Sequence, residues 1–108
     1  MAIYMVRVEI FGAGLREYEL LHESMRLIDF NRNIRFSDGQ IMALPTGTYV
    51  GTSLNTAAQI RDKVKRLADP LSSKAAAIFV CQYSEWAAHL YSASVSASAS
   101  AISSESES

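Results

Sequence analysis

From Ile3 to Phe11 the chain alternates. Tyr4, Val6, Val8 and Ile10 form one uniformly apolar face, and Ile3, Met5, Arg7, Glu9 and Phe11 a mixed one. Period-two alternation of this kind predicts a half-buried strand with its pure face toward the core. Gly12-Ala13-Gly14 then frees the chain to reverse. From Leu15 to Ile28 the period changes: Tyr18, Leu21, Met25 and Ile28 recur at three- and four-residue spacing, the core stripe of a helix, with Glu17, Glu19, Glu23 and Arg26 mainly on its wet side. Asn31-Arg32-Asn33 follows as the helix end. Ile34 and Phe36 begin a second strand, with Arg35 pointing the opposite way. Ser37-Asp38-Gly39 reads as a turn or bulge, after which Ile41, Met42 and Leu44 resume the extended run.

Pro45-Thr46-Gly47 predicts a hairpin turn, because proline presets its own φ and glycine accepts a positive one. Thr48 to Ser53 is the third strand. A second helix runs from about Thr56 to Leu67 on a stripe of Ala57, Ile60, Val64 and Leu67. Thr56 with Gln59 fits a capping box at its start, and Asp69-Pro70 stops it. Ala75 to Tyr83 is the fourth strand. Ser84 is expected to cap a short final helix holding Trp86, Leu90 and Tyr91.

Strand–helix–strand therefore occurs twice. That order predicts an α+β fold, a ferredoxin-like βαββαβ sandwich with a four-stranded antiparallel-type sheet and two helices on one face. Residues 1–91 make the domain. Residues 92–108, almost entirely serine and alanine, have too little apolar bulk to offset their ordering entropy, so a disordered tail is expected there. The sandwich leaves one sheet face open, which is where function is to be sought.

Charge narrows the choice of partners. The formal charge is −1, but Glu105 and Glu107 of the tail belong to the 11 acidic residues that oppose 10 basic ones, so the body is close to neutral. RNA binding would then need a local basic face rather than whole-molecule attraction. Cys81 is the only cysteine, so neither an intramolecular disulfide nor a cysteine-rich metal cage forms. No apolar run is long enough to span a bilayer and no signal-peptide core follows the N-terminus, so a cytoplasmic location with no membrane association is expected.

No P-loop, dinucleotide fingerprint, HExxH or nucleophile elbow is present, and no cofactor or metal is expected. His22 is the best acid–base candidate. It borders the apolar stripe of the first helix, with Tyr18 one turn before it and Arg26 one turn after, and a pKa near neutrality suits proton transfer. The plainer reading is an interfacial histidine hydrogen-bonded to Glu19 or Glu23. The open face offers Arg7, Arg35 and Tyr49, a combination that binds single-stranded RNA by gripping phosphates and stacking bases. An apolar open face equally suits a homodimer. Arg61 and Lys65, four residues apart on the second helix, form a further phosphate-binding pair or a solvated surface.

Tyr4-Met-Val-Arg-Val-Glu-Ile10, the helix ending Met25-Arg-Leu-Ile-Asp-Phe30, and Tyr49-Val-Gly-Thr-Ser-Leu54 running into Ala57-Ala-Gln-Ile-Arg-Asp-Lys-Val64 together resemble the GhoS family. These are small bacterial antitoxin endoribonucleases of type V toxin–antitoxin systems. The resemblance spans roughly residues 1–91 in element order, and the Thr-Ser-Leu junction with its following helix is its best local match. It implies a ferredoxin-like fold like that of the small CRISPR-associated endoribonucleases, and cleavage of the messenger of a small membrane toxin. His22 falls where the family carries polar or basic residues. On this reading His22 takes the ribose 2′-hydroxyl proton, and Arg26 with Arg7 or Arg61 stabilises the phosphorane, without a metal. The rival readings are a non-catalytic dimerisation or protein- or RNA-binding module, and a prophage-borne regulator.

Overall fold

A computed structural model describes residues 1–93 in full, together with the backbone of Ile102–Glu107. The protein is α+β. Strand β1 (Ala2–Glu9) is central and pairs antiparallel with β4 (Thr48–Ser53) on one side and β5 (Ala77–Gln82) on the other. Helices α1 (Leu15–Leu27) and α2 (Ala57–Ala68) cover one face of this three-stranded sheet. The alternation of β1 holds: Tyr4, Val6, Val8 and Ile10 are buried against Leu21 and Met25 of α1 and Ile60, Val64 and Ala68 of α2.

Both helices start and stop for local reasons. At the head of α1 the Gly14 N–H donates to Glu17 Oε1 at 2.7 Å. At α2 the capping box is reciprocal: Gln59 N–H donates to Thr56 Oγ1 at 3.1 Å and Thr56 N–H to Gln59 Oε1 at 2.9 Å. Helix α1 ends in a Schellman reversal. Asp29 sits at φ +67°, its N–H bonded to the Arg26 carbonyl, while Phe30 N–H reaches back to Met25 O at 2.9 Å. Phe30 and Met25 are both buried, which completes the hydrophobic contact usual in this motif.

Several expectations change here. The stretch from Ile34 to Leu44 is not one bulged strand but a hairpin of β2 (Asn33–Arg35) and β3 (Ile41–Ala43), with Ile34 opposite Met42. Gly39 at φ +89° and the Gly39 N–H to Phe36 O bond close a full turn, which is what Ser-Asp-Gly favours. The hairpin belongs to a second sheet, so the four-stranded ferredoxin-like sheet does not form as such. Its place in the four-stranded order, beside β4, is taken by an isolated bridge between Asn31 and Val50.

The short final helix is replaced by strand β6 (Trp86–Ser92), which pairs with β3. Trp86 and Leu90 share a face at period two as well as at helical spacing, since four is a multiple of two, so their spacing did not discriminate. Of the serine-rich stretch expected to be disordered, Ser92 closes β6 and Ile102–Glu107 forms β7 alongside it. Residues 94–101 and 108 lie outside the described residues.

The second sheet partly roofs the outward face of the first, which is therefore not an open platform. Met5, Val50 and Cys81 from below and Ile34, Leu44, Trp86 and Ala88 from above line an apolar groove of about 200 Å³. Phe36 and Met42 make a small satellite core, with the Phe36 and Trp86 rings 5.6 Å apart.

Candidate functional site

The sequence places His22 and Arg26 one turn apart on α1. The reversal at Asp29 then folds the chain back beside the same helix end and delivers Asn31-Arg32-Asn33 to it. Asn31 is pinned to β4 by two backbone bonds with Val50, at 2.8 and 2.9 Å. Together these segments enclose a polar recess of about 330 Å³ lined by Glu19, His22, Glu23 and Arg26 of α1 and by Phe30, Asn31, Arg32 and Asn33.

His22 is half-buried, and its Nδ1 lies 2.6 Å from the hydroxyl of Tyr49. Its pKa is held below the ordinary histidine value, chiefly because burial disfavours the imidazolium and secondarily because the Arg32 guanidinium repels it; Glu19 opposes both. Burial likewise raises the pKa of Tyr49, so its phenol stays protonated. Arg26 is exposed, with its guanidinium 2.6 Å from Glu23 Oε1, a surface pair of small energetic weight. Glu19 makes no such pair with an arginine among the described residues.

Tyr49 does not lie on the outward sheet face, where it was expected to stack on a base. It is opposite Val6 in register, wholly buried, and points toward the helices. Its neighbours Thr48 and Val50 gave no clear alternation from which to read the phase. Arg7 does face outward, but its Nη1 donates to Thr46 O at 2.8 Å and Thr48 Oγ1 at 3.0 Å, fastening the loop before β4. Arg35 lies on β2 in the other sheet, its guanidinium 3.4 Å from Gly39 O, so Arg7, Arg35 and Tyr49 do not share one face.

Arg61 and Lys65 are exposed on α2 and outside the His22 recess. Arg61 contacts Asp62 at 3.0 Å and Lys65 contacts Asp69 at 2.7 Å. Arg32 is the residue that sequence reasoning missed as part of the site. Ten positions from His22, it joins the recess only through the reversal at Asp29, and the one signal was that helix end itself.

Among the described residues no cluster of three or more His, Cys, Asp or Glu is placed to hold a metal ion, and no helix is long and apolar enough to cross a membrane. Chemically, the recess offers two guanidinium groups, two side-chain amides, an imidazole and two carboxylates, one of them paired to Arg26, in one concavity. That set is suited to a phosphodiester and its adjacent hydroxyls. No family model, curated protein or solved structure matches the chain.

Proposed function

We propose that this protein is a cytoplasmic endoribonuclease antitoxin of the GhoS kind, binding single-stranded messenger RNA of a small membrane toxin at the His22 recess. The observation that carries the reading is the convergence of His22 and Arg26 with Arg32 on one concave polar surface. The strand order adds support. The antiparallel order β5, β1, β4, followed by the Asn31 bridge, is compatible with a ferredoxin-like sheet that has lost its last edge strand.

In this reading the scissile phosphate sits between Arg26 and Arg32. The ribose 2′-oxygen bonds to phosphorus, the bond from phosphorus to the 5′-oxygen breaks, and that oxygen takes a proton from water. The guanidinium groups stabilise the phosphorane charge, and a 2′,3′-cyclic phosphate remains. The 2′-hydroxyl proton passes to a base of the recess: His22 from the sequence, with Glu19 the unpaired carboxylate beside it.

The test is incubation of purified protein with labelled single-stranded toxin messenger in excess EDTA. Cleavage is expected, with a cyclic phosphate end and a fall of at least tenfold for Arg32→Ala. Intact RNA, or full activity in Arg32→Ala, defeats the proposal. Arg61→Ala and Lys65→Ala separate tracking along α2 from grip in the recess.

A second reading is a non-catalytic module that dimerises through the sheet. It is favoured by Phe79 and Ile3, outward-facing and 61% and 45% exposed beside the apolar groove. Light scattering decides it: a salt-insensitive dimer lost in Phe79→Lys supports this reading.

A further inference from the structure

We propose that Tyr49 is the positioning residue of the recess: its hydroxyl donates to His22 Nδ1 and holds the imidazole in the neutral tautomer that carries its proton on Nε2. This rests on the reading of the recess as an RNA site and reassigns the parts within it. The two ring nitrogens of a histidine are not equivalent, and the hydrogen bond at one decides the state of the other. Here Nδ1 and the Tyr49 oxygen are 2.6 Å apart, so one of them donates.

The geometry selects the donor. Tyr49 has no exposed surface, and within the described residues the His22 contact is the sole hydrogen bond its hydroxyl makes. If Nδ1–H were the donor, the phenol O–H would be buried without an acceptor, an arrangement that folded proteins avoid. With the phenol donating, both groups at the contact are satisfied. The same holds against the imidazolium, which carries a proton on Nδ1 and would orphan the same O–H.

The groups facing His22 are Tyr18, with ring centroids 6.4 Å apart, Tyr49, and the Glu19, Glu23, Arg26 and Arg32 side chains that share its recess. None of these is hydrogen-bonded to Nε2 within the described residues, so Nε2–H is free to meet a ligand. A protonated Nε2 cannot take a proton from a ribose hydroxyl. It donates instead, and joins Arg26 and Arg32 as a third donor to a phosphate oxygen. The role of base then falls to Glu19, the carboxylate of the recess not paired to an arginine. Tyr49 never touches RNA and acts through His22.

The tautomer is read directly by nitrogen NMR of the imidazole in the full chain, without RNA. At neutral pH, His22 is expected to show a protonated Nε2 and a bare Nδ1. In Tyr49→Phe that preference is expected to vanish, with the Nδ1-protonated tautomer populated beside the other. A neutral-pH spectrum with the proton on Nδ1, or a Tyr49→Phe variant with an unchanged tautomer, overturns the assignment. Cleavage assays supply the second arm. Glu19→Gln is expected to lose at least tenfold, and His22→Gln, which keeps a donor near the Nε2 position, to lose less than His22→Ala. Equal losses in the two His22 variants restore His22 as base and defeat the donor role. A chain that cleaves no RNA but shows the expected NMR defeats the nuclease reading while leaving the tautomer lock standing.

Discussion

Gly51→Ala tests the joint on which the recess depends. Gly51 lies in β4 opposite Tyr4, and the end of α1 rests directly on it. A methyl group there would sit 2.3 Å from the Asp29 carbonyl oxygen and 3.0 Å from Cδ1 of Phe30. Carbon–oxygen contacts ordinarily settle near 3.3 Å, so backbone must move by about 1 Å. The neighbouring side chains offer no relief, because the nearest atom is itself backbone.

Overpacking of this kind destabilises by about 1–3 kcal/mol. The same displacement strains the two backbone bonds between Asn31 and Val50, each contributing about 0.5–1.5 kcal/mol. Together these give a loss of about 2–6 kcal/mol, a large share of the roughly 5–15 kcal/mol that holds a domain of this size together. Gly39→Ala is the matched control. Its φ of +89° also disfavours alanine, but nothing lies within 4 Å of the added carbon, so only left-handed strain of about 1–2 kcal/mol applies. Urea and thermal unfolding measure both variants, and the Gly51 variant is expected to melt at least roughly 10 °C below wild type. If it proves as stable as the Gly39 control, the joint does not bear on the fold as argued.

Other predictions follow from single contacts. Because the folded pKa of His22 lies below its unfolded value of 6.5, the unfolded chain binds more protons in that range, so stability is complete above about pH 6.5 and falls as pH drops toward the folded pKa. The slope is expected to flatten in His22→Gln, checked by denaturation across pH 5–8, about the range where an unshifted histidine titrates. Asp29→Gly is expected to stabilise by about 0.5–1 kcal/mol by relieving the left-handed φ of +67° at the end of α1, measured by urea melts. Thr56→Ala removes the cap of α2 and is expected to lose about 1 kcal/mol, with amide exchange rising first at Gln59, whose N–H it bonds. Asp69, held below the usual carboxylate range by Lys65 and then by the Ala76 N–H, contributes stability that is lost as pH falls through its depressed pKa; Asp69→Asn is expected to reduce the acid dependence of unfolding.

Much of this protein could be read from its amino-acid pattern. The alternation at Tyr4, Val6, Val8 and Ile10 and the stripes through Leu21 and Met25 and through Ile60 and Val64 name residues that the fold buries. The α2 cap at Thr56 and the turn glycines at 39 and 47 were equally legible. Each of these signals is local: it states which side of an element avoids water, or which residue tolerates a dihedral angle.

Pairing is a different kind of information. Any strand's backbone can bond to any other's, so nothing near Ile34 or Trp86 said that their strands would leave the main sheet and roof it. Tyr49 illustrates the limit most sharply. Its sequence neighbours left its direction open, and only its register opposite Val6 turned it inward onto His22. Arg32 joined the recess for a similar reason, through a chain reversal at Asp29 whose effect depends on where the following residues find a strand to pair with. The sequence by itself determined the elements and their buried faces, because both follow from local periodicity. The tertiary structure alone decided which side chains meet in the recess, because that depends on long-range register.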